Sequence, residues 1–123
     1  MSAPPVSELS AMLAGLAPAL DERAWFFAVV DGEPPADAFA IIREQEGTTA
    51  IVAGEGGGFA RITLTVHSAL EGVGLTAAVS GALARADIAC NIVAGHHHDH
   101  LFVPWDRREE ALALLRALTA TAS

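Results

Sequence analysis

The chain has 123 residues, about one ordinary domain, and a chain of this size buries enough surface to build a core without disulfide or metal staples. Its formal charge is −8, with no lysine and seven arginines, so it offers no basic stripe; that argues against nucleic acid and against a cationic helix lying on a membrane. Apolar residues reach 52%, above an average soluble domain, which calls for a well-filled core or a shared subunit interface.

No apolar run approaches the ~20 residues of a membrane-spanning helix and no charged-then-apolar leader opens the chain, so a cytoplasmic location is expected. Residues 1–5 read as a tail. Ser7 is then a candidate helix N-cap, with Leu9, Met12, Leu13 and Leu16 following at helical spacing until Pro18 stops the helix. Residues 24–30 (AWFFAVV) are short, apolar and rich in aromatic and β-branched groups, which predicts a buried strand. Residues 31–37 hold Gly32, Pro34 and Pro35 and read as a loop. A hairpin follows: a strand over 38–44, a turn over 45–47 using Gly47, and a strand over 48–53. Glycines at 54 and 56–58 mark a composition break, placed as a boundary between subdomains 1–58 and 59–123.

The second half has a cleaner pattern. From Arg61 to His67, Ile62, Leu64 and Val66 alternate with Thr63, Thr65 and His67, as in a half-buried strand. After a turn over 68–74, Leu75, Val79, Ala82, Leu83 and Ala86 share one helical face. Strands are expected over 88–94 and 101–104, with a turn over 96–99 and Pro104 tolerated only at a strand end or an edge. Asp106 and Glu109 resemble a capping box before a last helix that presents Ala111, Leu114, Leu115 and Leu118. The order β-α-β-β-α predicts an α+β sandwich, with helices on one face of a mostly antiparallel sheet.

The stretches VHSALEGVGLTAAV, CNIVAG and HDHLFVPW resemble the ACT domain family, over roughly residues 59–119, and in particular small bacterial stand-alone members of it. The resemblance implies a ferredoxin-like βαββα unit, preceded here by an N-terminal helix and three strands that form a degenerate second ACT-like unit. It further implies regulation rather than catalysis. An amino-acid-type ligand would lie where two units pack together, in a homodimer or higher homo-oligomer. Carried onto this sequence, the ligand loop is His67, Ser68, Glu71, Gly72, Val73, Gly74 and Leu75, and the facing strand holds Asn91 and Ile92. Many relatives have an Asp-Arg-Pro-Gly turn in the loop; Glu71, Gly72, Val73 and Gly74 stand in its place.

The residues themselves point the same way. Backbone N–H groups at a glycine-led helix start suit a carboxylate, and Glu71 would pair with the ammonium of a zwitterion. Asn91 interrupts an apolar strand and must find hydrogen bonds or face a wet site. The run from His96 to His100 supplies candidate metal ligands in His96, His98 and His100, which would share one face of an extended chain, although their spacing fits no standard zinc pattern; no cofactor is expected. Cys90 reads as a small buried hydrophobe. No nucleophile elbow or phosphate-cradling loop is present, so no enzyme is expected. A bare dimerisation module that binds nothing is the main rival.

Overall fold

The elements of the computed structural model, which describes residues 8–66 and 72–122, run in chain order: α1 (Leu9–Ala14), β1 (Pro18–Val30), β2 (Ala40–Glu44), β3 (Gly47–Ala53), β4 (Phe59–Leu64), α2 (Leu75–Arg85), β5 (Asn91–Ala94), β6 (Asp99–Pro104), and α3 (Arg108–Ala122) entered through a 3-10 turn at Trp105–Arg107. The strands form a six-stranded sheet in the order β2-β3-β1-β4-β6-β5, with every neighbouring pair antiparallel. Outward from the β1–β4 pair, the order is β3, β2 on one side and β6, β5 on the other. The first half therefore repeats the strand pattern of the second, as a degenerate second unit should. The copy lacks the helices: where the second half has α2 and α3, the first has residues 31–39 and 54–58, neither helical.

Strand alternation sorts side chains onto two faces. Ala60, Ile62 and Leu64 of β4 and Leu101 and Val103 of β6 face the helices, packing with Met12, Leu16, Val79, Leu83 and Leu115 in the main core. The predicted apolar set of the central strand is thus the buried set, with Ile62 fully buried and Val66 at its end. The alternate residues point to the opposite, open face, where Trp25, Ile51 and Phe102 form a second buried cluster.

Several boundaries differ from expectation. Ser7 lies outside the described residues, and α1 is capped by Glu8, whose carboxylate accepts from the backbone N–H groups of Ser10 and Ala11. Pro18 does not stop this helix, which ends at Ala14. It opens β1, where a residue without an N–H is tolerated at the first position. Strand β1 thus begins six residues before the predicted 24. Its register against β4 slips between Leu20, opposite Ile62, and Ala24, opposite Ala60, so that Asp21, Glu22 and Arg23 bulge against Arg61 alone. The capping box at Asp106 gives way to the 3-10 turn. There Arg108 lays its guanidinium over the Trp105 ring (3.8 Å) and donates to the Trp105 carbonyl (2.7 Å). Arg107 pairs with Glu110 and reaches the Ala86 carbonyl at 3.1 Å, placing a cation at the C-terminal end of α2. In α3, Leu112 is buried along with the expected Ala111 and Leu115, while Leu114 and Leu118 are half-buried.

Candidate functional site

Of the expected ligand loop, His67, Ser68 and Glu71 lie outside the described residues. Gly74 is the N-cap of α2, with φ of 100° and no side-chain cap for the helix. Only glycine adopts that conformation cheaply, and it is also hemmed in, since a Cβ there would stand 3.2 Å from Leu9 Cδ2. Val73 is 81% exposed beside it, and Leu75 is buried.

Asn91 is the exposed first residue of β5, an edge strand; its register partner Phe102 puts it on the open face. Ile92 turns the other way, against the main core. In the sheet Asn91 is level with Arg61, whereas Ala94, at the other end of β5, is level with Leu64, where β4 leads into the loop.

The histidine run does not form an extended face. The chain reverses at His96 and His97, with the Gly95 N–H donating to the His98 carbonyl (2.9 Å), and their two rings are 5.0 Å apart at the tip. His100 is drawn onto the open face, its Nδ1 hydrogen-bonded to Thr63 Oγ1 (2.9 Å) and its ring against Phe39. Among the described residues, no three His, Cys, Asp or Glu groups are placed to hold a metal ion. Cys90 is half-buried rather than fully buried, and burial pushes its thiol up to about 11, which keeps it protonated and unreactive.

A feature that sequence reasoning missed lies on the open face. The β1 bulge brings Asp21 to the Trp25 indole, whose Nε1 donates to it at 2.9 Å, and to Arg61 at 3.6 Å. The Arg61 guanidinium lies over both Trp25 (4.7 Å) and Phe39 (4.5 Å). Burial would raise the Asp21 pKa, but hydrogen bonds from Arg23 and Trp25 and the charge of Arg61 outweigh it and hold the carboxyl below its ordinary value. His100 is shifted down by burial and by the charges of Arg61 and His98. The one sequence signal was the tryptophan four residues after an aspartate.

Asp21→Asn is expected to cost about 1–3 kcal/mol at pH 7, because Arg61 loses its counter-charge while largely out of water. A carboxyl with a lowered folded pKa stabilises fully above its unfolded value near 3.8 and loses that contribution as pH falls through the folded value. The variant's deficit, measured by urea unfolding, should therefore shrink below about pH 4; a pH-independent deficit would show that the charge is not what matters.

This architecture, helices on one face of an antiparallel sheet with a glycine-led helix start beside the central strand, is a ferredoxin-like α+β fold. The chain belongs to the ACT domain family, which matches it twice, over residues 60–117 and over residues 4–64. ACT domains are regulatory modules that commonly bind small molecules. No curated protein matches the chain. It is similar to a Vibrio cholerae protein of unknown function, described as a possible transport protein, with 36% identity over 86% of this chain and 92% of that one and a TM-score of 0.76. It shares its fold with an Agobacterium tumefaciens protein at 18% identity, over 77% of this chain and 81% of that one, with a TM-score of 0.58. Among the described residues no helix is long and apolar enough to cross a membrane.

Proposed function

We propose that this chain is a regulatory ACT protein that binds an amino-acid-type ligand where two ACT units meet, without catalysing a reaction. The two units of the chain are residues 1–58 and 59–123, and the protein works as a homodimer or higher homo-oligomer. Gly72, Val73 and Gly74 of one unit face Asn91 of another, with His67, Ser68 and Glu71 completing the loop, while the core-facing Leu75 and Ile92 hold the two elements in place. The observation that carries this reading is the start of α2. Gly74 opens the helix in a left-handed conformation and no side chain caps it, so the first-turn N–H groups are left for a carboxylate. The exposed amide of Asn91 suits the polar end of the same ligand.

The test is a thermal-shift series of the full chain against the twenty amino acids. A ligand at about 100 times its Kd adds roughly 2.7 kcal/mol. Asn91→Ala, at an exposed position, should alter ligand-free stability by no more than about 0.5 kcal/mol while cutting the ligand-induced shift. A bulky residue at Gly74 is a poorer probe, because its φ and the Leu9 contact would strain the fold itself. No shift with any amino acid, or a full shift in Asn91→Ala, defeats the reading and favours the interaction module, which the exposed apolar side chains of β1 and β2 also support.

A further inference from the structure

The short helix α1 and the residues just after it touch both ends of the predicted ligand loop. At the far end, the first residue of α1, Leu9, lies against Gly74: a Cβ on that glycine would stand 3.2 Å from Leu9 Cδ2, 3.5 Å from Cδ1 and 3.8 Å from Cγ. At the near end, the chain leaving α1 lies against Thr65 and Val66, which follow β4 into the loop. The Leu16 carbonyl accepts from the backbone N–H groups of Thr65 (3.1 Å) and Val66 (3.4 Å), and the Ala17 carbonyl accepts from Thr65 Oγ1 (2.8 Å). Six residues of helix are about 9 Å long, so one compact element bridges the two points.

That element is itself firmly placed. Met12 and Leu16 are fully buried in the main core, whereas Leu9 stands at its margin, 37% exposed. Ala17, where the chain turns from α1 into β1, has φ of 42°, a left-handed conformation that alanine adopts only at a cost. Strained residues persist where their surroundings over-determine them, and they gather where geometry matters; here the strained turn aims the Ala17 carbonyl at Thr65. Gly74 has the opposite character. Its carbonyl accepts from the Ala78 N–H at 2.9 Å, the first bond of α2, which leaves the N–H groups of Leu75, Thr76 and Ala77 as the donors for a carboxylate. A glycine has wide backbone freedom, so the direction of those donors depends on what packs against it, and that is Leu9.

We propose that Leu9 is a positioning residue for the ligand site and that α1 is the strut that sets the separation of the loop's two ends. This rests on the reading of the α2 start as a ligand contact, and it adds the means by which binding is registered. The chain runs from α1 into β1, so a ligand that steadies Gly74 also steadies α1 and the entry to that strand. By reciprocity, whatever steadies α1 raises the affinity for the ligand by the same factor.

The experiment is amide hydrogen exchange, with binding of the twenty amino acids, on the wild type and on Leu9→Ala, Leu9→Met and Thr65→Val, all at exposed positions. Without ligand, the Ala78 amide of Leu9→Ala should exchange at least about fivefold faster, while the Leu83 amide in the body of α2 keeps its rate. Leu9→Met, which conserves volume, should restore protection. Thr65→Val removes the hydrogen bond at the other end and leaves Leu9 in place, so Ala78 stays protected while ligand affinity falls. An amino acid that binds the wild type should bind Leu9→Ala at least about tenfold more weakly. It should also slow exchange of the Met12 amide, which bonds to the Glu8 carbonyl (2.9 Å), in the wild type and not in Leu9→Ala. An Ala78 amide indifferent to Leu9→Ala overturns the proposal, as does wild-type affinity in that variant. Lost protection throughout α2 would make Leu9 an ordinary core residue and overturn it too. A blank screen of the wild type defeats the ligand reading instead, and exchange at Ala78 then decides alone whether Leu9 holds the start of α2.

Discussion

Phe102→Ala is expected to lose about 3–5 kcal/mol of stability, a large part of the 5–15 kcal/mol that holds an ordinary domain folded. Phe102 is fully buried although it lies on the face of the sheet away from the helices. What shields it is aromatic: the rings of Phe27, Phe39 and Trp25 approach it edge-on at centroid distances of 5.2, 5.9 and 6.1 Å. Truncation removes these ring contacts, which add to the simple transfer of apolar area, and opens a cavity flanked by strands that cannot move inward without breaking their ladders. Unfolding in urea gives the magnitude, and near-UV circular dichroism gives the location, because the asymmetric environment of Trp25 should be lost with the ring beside it. Phe102→Leu should recover more than half of the deficit. A Phe102→Ala chain within about 1 kcal/mol of wild type would mean that the open face contributes no core of its own. The result bears on function, because Asn91 is the register partner of Phe102: loosening this cluster loosens the edge strand that presents the proposed ligand contact.

How much could be read from the sequence follows from how local each signal is. Ile62, Leu64 and Val66 declared their strand because burial on one face forces a period of two, and Leu75, Val79 and Leu83 declared α2 because burial of a stripe forces a period near 3.6. Both burial patterns survive in the structure, although β4 itself ends at Leu64 and the buried Val66 lies beyond it. The first stretch of β1 was hidden because Asp21, Glu22 and Arg23 interrupt an apolar pattern with three charges. Only the bulge, which opposes all three to a single partner residue, lets them sit within a strand. The cap of α1 was misplaced by one residue because a glutamate can reach two backbone N–H groups as a serine does. Of the Asp21–Trp25–Arg61–Phe39 group only the aspartate–tryptophan spacing was visible: the group joins a bulge, a loop end and two strands whose proximity depends on β1 lying between β3 and β4. The histidine run misled in the opposite sense. Extended-chain geometry would align His96, His98 and His100, but the tight reversal at His96 and His97 spends two of the five positions on a turn. The glycine at the head of α2 was legible as a helix start, yet its packing against Leu9 was not.

Gly57→Ala is expected to cost upward of about 3 kcal/mol, at the severe end of overpacking effects. A methyl group at Gly57 would stand 2.6 Å from both the Trp25 nitrogen and the Trp25 oxygen and 2.7 Å from its carbonyl carbon. Those are backbone atoms in the middle of the sheet's longest strand, so they cannot swing aside as a side-chain tip would. The two glycines beside it separate this steric cause from the other uses of glycine. Gly56 has φ of 85° and open space around it, so Gly56→Ala pays only for a left-handed conformation, roughly 1–2 kcal/mol. Gly58 has neither restriction, and Gly58→Ala should be neutral or stabilising by a few tenths of a kcal/mol, through a less flexible unfolded chain. Urea unfolding of the three variants should therefore rank Gly57→Ala far below Gly56→Ala, with Gly58→Ala beside wild type. The tryptophan fluorescence of folded Gly57→Ala should also change, since moving the Trp25 backbone shifts the indole that donates to Asp21 and lies against Arg61. Equal stability of Gly57→Ala and Gly58→Ala would show that residues 54–58 can lift away from β1. In that case the connection between β3 and β4 would be a loose tether, whereas the close fit at Gly57 makes it a clamp that fixes the start of β4 against β1.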